Sequence, residues 1–428
     1  MKRTLFIILP FVIVLTLAGW YIISKKTGPQ GGAGDNSSSG GIFAGLFPTS
    51  GDNTSASGET PSGAQGGDFQ GGGVGSSDSG LHQLTAVPVA GFVSTTTVSG
   101  SALRYVERAT GNVFQIKDGR TERLTNTTIP AVYEALWNKN ASMVALRYLN
   151  ENDVIKTHLA AIVENASSTA TTATTTISSL EGEDLQDDIP YMTLSKDGTK
   201  LVYVAPTGSG ATIYETPFTS KSTALFSTPF SEWKLSVLKS DAAIATTYAS
   251  AITDGFAYAV DKDGNFSKIL GPIKGLTTLV DPSGDRLLYA ESKDDRVAMK
   301  LFHMNDGLTV DMPISTLPEK CAWSPNTPTL LYCGIPKNLG SDSYPDAWYK
   351  GEVSFEDDLW EIDTQTNSVR VLAALPASTP VDVIDPIVTE DGTTLYFINK
   401  KDSTLWSLAL PAPVTGTEST TTSDGTSS

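Results

Sequence analysis

A short hairpin pattern recurs along this chain and limits the folds that it can adopt. In the clearest copy, Leu194–Val204, the polar turn Asp197-Gly198 separates an apolar residue from a β-rich strand. Further copies begin at Val280, Trp323 and Val388. One hairpin cannot cover both of its own faces, so a chain of repeated hairpins is predicted to form several small sheets that pack against one another.

Aligned by their first apolar residue, the hairpins divide the chain into seven units at intervals of 41 to 65 residues. The units begin at Phe92, Trp137, Leu194, Leu235, Val280, Trp323 and Val388. A repeat in the low forties that holds about four short strands is typical of propeller blades. The sequence therefore predicts an all-β fold, a seven-bladed β-propeller. The units at Phe92 and Leu235 match the pattern least well, so six or eight blades stay open.

The final unit lacks a fourth strand of its own. Its third strand ends at Leu410, and the prolines that follow prevent the sheet from continuing. Leu81–Val87 precedes the first unit and has no hairpin partner. Because an open sheet edge promotes aggregation, we predict that this segment closes the ring as the outer strand of the last blade. The propeller domain is thus predicted over residues 81–410, with a disordered Thr- and Ser-rich tail over residues 411–428.

The repeats resemble those of TolB-like β-propellers, the WD40-like group of PD40 type. Ser195–Tyr203 and Asp281–Tyr289 are similar to the pattern S-P-D-G-x-x-[IL]-x-[FY] of that family, and Leu359–Asp363 and Leu405–Leu408 resemble its third strands. The resemblance covers about Leu81–Leu410. It implies a propeller, but such propellers serve as binding platforms, as periplasmic envelope components and as gating domains of peptidases. The resemblance therefore implies the fold and leaves the ligand open.

The first 26 residues carry a targeting signal. Lys2 and Arg3 precede an apolar run from Leu5 to Ile23 that is long enough to span a bilayer. We predict an uncleaved, single-pass transmembrane signal anchor over residues 1–26, with residues 4–24 in the lipid bilayer. A cleaved signal peptide is the alternative.

The Gly- and Ser-rich stretch over residues 27–80 has too few apolar residues to bury a core, so we predict a disordered linker. It is nearly free of Lys and Arg, which favours its translocation across the membrane. The N-terminus is then cytoplasmic, and the propeller is tethered to the cell membrane on the extracytoplasmic side of a bacterial envelope.

Composition and motifs argue against several functions. The formal net charge of −17 excludes a general nucleic-acid partner. The sequence contains no Gly-x-Ser-x-Gly nucleophile motif, and the three histidines, His82, His158 and His303, fall in predicted strands of different blades. We therefore predict no enzyme, no cofactor and no metal site.

The two cysteines flank a predicted turn. Cys321 and Cys333 are equally distant from its centre, so an antiparallel hairpin places them opposite each other, within reach of a disulfide bond. An extracytoplasmic location favours oxidation, so we predict a Cys321–Cys333 disulfide. Two buried free thiols are the alternative.

Two insertions depart from the repeat. About twenty extra residues lie within Ile335–Asp358 of the sixth unit, and the acidic stretch Glu181–Asp188 ends the second unit. Blade geometry places both on the same end of the sheets. The residues predicted to contact a partner are Tyr344, Trp348, Tyr349, Asp342, Asp346, Glu352, Glu183 and Asp184. In the alternative interpretation, Trp348 and Tyr349 fold down onto the blade.

These features predict a non-enzymatic binding or scaffold module that engages an envelope or surface protein through loops on one propeller face. Binding of a cell-wall or surface glycan by the same face is the alternative. The sequence does not exclude a purely structural spacer.

Overall fold

The structure, a computed structural model, describes residues 80–97, 100–163, 178–238, 242–294 and 296–411. The predicted anchor, nearly all of the predicted linker and all but the first residue of the tail lie outside these ranges. Within them, no helix combines the length and the apolar character that crossing a bilayer requires.

The described residues form 28 strands, arranged in seven antiparallel sheets of four strands each. We number the sheets as blades one to seven. Blade one contains β2 (Val89–Thr97), β3 (Gly100–Glu107), β4 (Val113–Lys117) and β5 (Arg120–Arg123). Blade two contains β6 (Val132–Trp137), β7 (Met143–Leu149), β8 (Ile155–Val163) and β9 (Ser179–Asp184). Blade three contains β10 (Met192–Leu194), β11 (Leu201–Thr207), β12 (Gly210–Thr216) and β13 (Thr223–Thr228).

Blades four to seven repeat this order. Blade four contains β14 (Trp233–Val237), β15 (Ala243–Thr247), β16 (Asp254–Val260) and β17 (Phe266–Lys274). Blade five contains β18 (Thr277–Val280), β19 (Arg286–Lys293), β20 (Arg296–His303) and β21 (Thr309–Asp311). Blade six contains β22 (Cys321–Trp323), β23 (Leu330–Pro336), β24 (Asp357–Asp363) and β25 (Ser368–Ala373). Blade seven contains β26 (Val383–Val388), β27 (Thr394–Asn399), β28 (Thr404–Ala409) and β1 (Leu81–Gln83).

The predicted seven-bladed propeller is confirmed. All seven residues used to align the hairpins lie in the first strand of a blade. First strands of neighbouring blades pack against each other, as β2 does on β6, β10 on β14 and β22 on β26. The first strands are therefore the inner strands, and they surround a central channel.

The predicted ring closure is also confirmed. β1 pairs with β28, and His82 lies opposite Ser407. Beyond the strand, the backbone N–H of Leu84 donates to the Leu405 carbonyl at 2.7 Å. Blade seven thus combines three strands from the end of the described chain with one from its beginning, so no outer edge is left unpaired there.

The apolar core lies between the blades. Tyr332 and Leu359 of blade six form one buried cluster with Val383, Leu395 and Trp406 of blade seven. Because each such cluster is shared by two sheets, no blade can bury its apolar faces without its neighbours.

The predicted disulfide is present between Cys321 and Cys333. The two residues are directly opposed in the pairing of β22 with β23, with a Cα–Cα distance of 4.1 Å. Both are buried in the cluster between blades five and six. The bond cross-links the inner hairpin from which the longest insertion extends.

Deleting Leu81–Val87 from the full chain should lower its thermal stability. The deletion removes the strand pairing of β1 and two part-buried leucines, Leu81 and Leu84, which together contribute about 3 kcal/mol or more. Thermal unfolding by circular dichroism should show a lower Tm, and light scattering should show aggregation. As a control, deleting seven residues of the predicted linker, 60–66, should change neither the Tm nor the light scattering. An unchanged Tm in the first variant would mean that β1 does not close the ring.

Replacing both cysteines, as in Cys321→Ala with Cys333→Ala, should lower the free energy of unfolding by about 2 to 3 kcal/mol, because a cross-link that restricts the unfolded chain is lost. Dithiothreitol should lower the Tm of the native chain and leave that of the double variant unchanged. If the reductant exposes two thiols without shifting the native Tm, the disulfide does not stabilise the fold.

Candidate functional site

The longest loop of the described chain connects β23 to β24 and spans residues 337–356; we call it the blade-six insertion. It contains one short helix, α1 (Asp346–Tyr349). The loop emerges at the end of the sheets where second strands connect to third strands and where each blade leads into the next. We call this end the insertion face.

The insertion crosses from blade six to its neighbours. The Asp346 carboxylate accepts a hydrogen bond from the backbone N–H of Ala251 in blade four at 2.6 Å. The Tyr344 carbonyl accepts one from the Ser292 hydroxyl in blade five. The Lys400 ammonium of blade seven donates to the Trp348 carbonyl at 2.9 Å. The insertion is therefore held against four blades around the channel.

Its aromatic side chains differ in exposure. Tyr344 and Trp348 are only 3% and 4% exposed, whereas Tyr349 is 37% exposed. The Trp348 ring stacks on Phe355 with a centroid distance of 6.0 Å and an interplanar angle of 15°. Tyr344 and Trp348 thus attach the insertion to the fold, while Tyr349 remains accessible. The alternative interpretation, in which Trp348 and Tyr349 fold down, describes Trp348 but not Tyr349.

A buried charge network fixes the base of the insertion. Lys320 lies in a 3₁₀ turn (Pro318–Lys320) before β22, and its ammonium contacts the carboxylates of Asp357, at 2.7 Å, and Asp382. All three side chains are inaccessible to solvent. The Trp348 indole N–H donates to Asp382 at 2.9 Å, and the Lys320 ammonium lies 5.1 Å from the rings of Trp348 and Phe355. The network joins blades six and seven to the insertion.

The two carboxylates of this network have different proton affinities. Burial raises the pKa of Asp357 to about 6, although Lys320 acts against this shift. Burial also acts to raise the pKa of Asp382, but Lys320 and the hydrogen bonds from Phe355 and Trp348 outweigh it and lower that pKa. Among the described residues, Asp357 Oδ1 has no hydrogen-bond partner, whereas Asp382 accepts hydrogen bonds from Trp348 and Phe355.

Tyr349 connects the insertion to the channel. Its hydroxyl donates to Glu319, and the Lys234 ammonium donates to the Tyr349 hydroxyl oxygen at 3.0 Å. Lys234 also forms an ion pair with Glu319 and lies 4.6 Å from the Tyr349 ring centroid. Burial and the Glu319 carboxylate raise the pKa of Tyr349, so the hydroxyl keeps its proton at neutral pH.

Asp385 lies across the channel on the inner strand of blade seven. The pairing of β26 with β27 shifts register between Ile384 and Ile387, so Asp385 and Pro386 form a bulge. Asp385 has φ of 50°, a left-handed conformation that non-glycine residues seldom adopt. Its side chain is exposed to solvent and yet enclosed by protein, as expected inside a channel. This enclosure, the Glu134 carboxylate and the Glu319 carboxylate raise its pKa to about 6.

Glu134 completes the arrangement from the inner strand of blade two. Its carboxylate forms an ion pair with the Arg147 guanidinium at 2.5 Å. Tyr191, which precedes the inner strand of blade three, donates its hydroxyl proton to the Leu235 carbonyl at 3.2 Å, and burial together with the Glu134 charge raises its pKa. We call the cluster of Glu134, Tyr191, Lys234, Glu319 and Asp385 the channel mouth.

Among the described residues, no group of three or more His, Cys, Asp or Glu side chains has the arrangement of a metal site. His82, His158 and His303 lie in strands of blades seven, two and five, as predicted.

The remaining predicted contact residues are distributed as follows. Asp342 and Glu352 are exposed on the insertion, and Asp346 is half-buried by its hydrogen bond to blade four. Glu183 and Asp184 do not belong to a loop. They lie in the outer strand β9, where His158 on β8 is 2.7 Å from the Asp184 carboxylate. The prediction that this acidic stretch is entirely an insertion was therefore wrong, because its first half pairs with β8.

The sequence predictions did not include the channel mouth or the Lys320 network. Their members come from different blades, and spacing along the chain does not show which inner-strand residues meet across a channel. The sequence contains one signal of the channel mouth. An acid and a proline, Asp385-Pro386, interrupt the otherwise apolar inner strand of blade seven, which is typical of a bulge.

No protein-family model matches the sequence, and no curated protein is significantly similar to it. Solved structures with a similar fold include the Pan2 WD40 domain of Neurospora crassa, with 13% identity and a TM-score of 0.48 over 79% of this chain and 98% of that chain. TolB from Acinetobacter baumannii has 10% identity and a TM-score of 0.41 over 74% and 78% of the two chains. An oligogalacturonate lyase in complex with manganese has 14% identity and a TM-score of 0.46 over 76% and 97%. This chain is similar to these three structures in fold.

Lys320→Met should destabilise the protein by about 3 to 5 kcal/mol at pH 7.5, because it leaves two buried carboxylates without their cation. The loss should be smaller at pH 5. Without the cation, the folded-state pKa values of both carboxylates rise, that of Asp357 further above the ordinary value of 3.8 and that of Asp382 from its lowered value. The folded variant then binds protons more tightly than the folded native chain, so its loss of stability grows as pH rises. Urea unfolding at both pH values measures this difference.

Lys350→Met serves as the control, because Lys350 is an exposed lysine of the insertion whose carboxylate partner is 4.0 Å away. It should change stability by less than about 0.5 kcal/mol. Limited proteolysis should cut the insertion faster in Lys320→Met than in Lys350→Met. Equal stability and equal cleavage of the two variants would mean that the buried network does not hold the insertion.

Proposed function

We propose that this protein is a non-enzymatic, extracytoplasmic binding module, tethered to the cell membrane by its N-terminal segment, that engages a protein partner through the insertion face. The observation that carries this proposal is the blade-six insertion. Twenty residues outside the repeat are fixed to four blades around the channel, and they present Asp342, Tyr349 and Glu352 to solvent. A loop that only connected two strands would not need these attachments.

The insertion face also carries apolar side chains suited to a protein interface. Phe230 and Ile252, in loops on either side of the inner hairpin of blade four, are 60% and 76% exposed. Tyr248 follows the second strand of the same blade and is also accessible. Aromatic and aliphatic groups of this kind, beside acidic groups at the rim, are typical of surfaces that bind proteins.

A catalytic role receives less support from the channel. Two of the three carboxylates of the channel mouth, Glu134 and Glu319, already form ion pairs with Arg147 and Lys234. A pair of carboxylates for acid–base chemistry would instead need one protonated and one free partner on either side of a substrate. We therefore propose that the channel takes part in binding.

The ring closure supports presentation of this face from a membrane tether. β1 is the outer strand of blade seven, so the preceding chain enters the domain at the rim of the propeller, away from the channel. In the proposed arrangement, a tether attached there leaves the insertion face open to a partner.

Reversing two exposed charges should test the proposed face. Asp342→Lys with Glu352→Lys should abolish recovery of the partner after crosslinking of the full chain in its native membrane. Charges at the edge of an interface steer the partner toward it, and reversed charges repel the partner. Mass spectrometry of the crosslinked complexes would compare the variant with the native chain. The Tm should stay within about 1 °C, because exposed substitutions of this kind change stability little.

Asp263→Lys with Asp285→Lys provides a matched control. These exposed acids lie in turns at the opposite end of blades four and five. The control should recover the same partner as the native chain. Equal recovery by both double variants would rule out the insertion face as the binding surface. Retention of the native chain on cell-wall polysaccharide, lost only in the first variant, would favour the glycan alternative.

A further inference from the structure

The charges within the channel mouth do not cancel. Arg147 pairs with Glu134, and Lys234 pairs with Glu319. The Asp385 carboxylate forms no ion pair and accepts no hydrogen bond from any residue that the structure describes. Three carboxylates therefore face two cations, which leaves one negative charge without a partner.

That charge lies where water can compensate it only in part. Asp385 is open to the solvent of the channel but is surrounded by protein, and the two carboxylates of Glu134 and Glu319 act on it more strongly than the opposing charge of Lys234, which already pairs with Glu319. A carboxylate in such surroundings is less well solvated than one on an open surface, so a cation that approaches it gains more than it would at the surface. The bulge takes Asp385 and Pro386 out of the regular side-chain alternation of the inner strand, and Asp385 lies near enough to Glu134, Glu319 and Lys234 for their charges to act on it.

The neighbouring groups already bind cations in the same way. The Lys234 ammonium lies 4.6 Å from the Tyr349 ring centroid while it contacts Glu319. The Arg147 guanidinium lies 5.3 Å from the Tyr133 ring centroid while it contacts Glu134. A carboxylate beside an aromatic ring thus holds a basic side chain twice at this site. Asp385 is the third carboxylate and lacks such a partner.

The surroundings of the mouth fit a side chain carried by a protein. Tyr248, whose hydroxyl lies 3.4 Å from the Pro190 carbonyl, borders the mouth on the side of blades three and four. Ile252 is exposed in the same loop as Tyr248 and directly follows Ala251, which hydrogen-bonds the insertion. These apolar groups would contact the backbone and flanking residues of a bound segment, whereas a free small cation would leave them exposed.

We propose that the channel mouth receives a lysine or arginine side chain from the protein partner, with the Asp385 carboxylate as its counter-charge. This inference rests on the proposed function, since it names the chemistry by which the partner is recognised. The partner presents a basic residue on an extended segment that crosses the insertion face. Asp385 supplies charge recognition, and the apolar rim contacts the segment on either side.

Binding of defined peptides to the full chain in detergent micelles tests this assignment. The probes are fluorescein-labelled Gly- and Ser-rich decapeptides with two central lysines, two central arginines or two central norleucines, and binding is followed by fluorescence anisotropy. The lysine and arginine peptides should bind, and the norleucine peptide should not. Asp385→Asn, which preserves shape and removes charge, should weaken binding of both basic peptides at least ~10-fold. Asp285→Asn, on the opposite end of the propeller, should not.

A stability measurement shows that the variant is folded. Asp385→Asn should raise the Tm at pH 7.5, because it removes a charge whose repulsion by Glu134 and Glu319, together with its burial, outweighs its attraction to Lys234. The gain should shrink near pH 4.5, where Asp385 binds a proton. A folded Asp385→Asn variant that binds the basic peptides as well as the native chain would overturn the assignment. Equal binding of basic and norleucine peptides, or no binding of any peptide, would do the same.

Two further results separate this inference from the proposed function. If spermidine binds the native chain more tightly than either basic peptide, the mouth serves a free polyamine and the proposed occupant is wrong. If Asp342→Lys with Glu352→Lys loses the crosslinked partner while Asp385→Asn retains it, the insertion face binds the partner but the channel mouth does not. If both variants retain it, neither proposal holds.

Discussion

The structure depends on the closure of its ring. Each apolar cluster lies between two blades, so a blade at an open end would expose one face of its sheet to water. Pairing of β1 with β28 removes that end by joining the two ends of the described chain. The closed ring then fixes the distances across the channel. Residues such as Glu134 and Asp385, far apart in sequence, can interact only because every blade between them is in place.

The Lys320 network is a second constraint, and its role differs from that of the core. Burying one ammonium and two carboxylates costs desolvation energy that their mutual attraction offsets only in part, so an apolar trio of similar volume would stabilise the fold at least as well. Hydrogen bonds and ion pairs are directional, so they fix the relative position of two segments more narrowly than apolar packing does. Asp382 accepts hydrogen bonds from both Trp348 and the backbone of Phe355, which sets the position of the insertion relative to blade seven. That position in turn places Tyr349 against Lys234 and Glu319.

Local patterns in the sequence were sufficient for the fold. Each hairpin pairs residues close in the chain, so its turn and apolar periodicity predict its strands, and the position of Cys321 relative to Cys333 predicts their register. The site depends on contacts between distant residues. Lys320 meets Asp382 across 62 positions and Lys234 meets Tyr349 across 115. Composition could not distinguish the buried Trp348 from the accessible Tyr349, because adjacent residues of one helical turn project in different directions and the sequence does not show which of them meets the blade.

Asp385 departs from the local preferences that the rest of its strand follows. The inner strand of blade seven would pair without interruption if residues 385 and 386 were apolar and extended. It carries an acid in a left-handed conformation followed by a proline, which interrupts the ladder with β27 and places a charge beside two others of the same sign. Each of these features opposes folding by a modest amount, and Lys234, which already pairs with Glu319, offsets the Asp385 charge only in part. Such a combination is expected where binding, and not stability, determines the residue. An external basic group would compensate the carboxylate in the way that Arg147 and Lys234 compensate its neighbours.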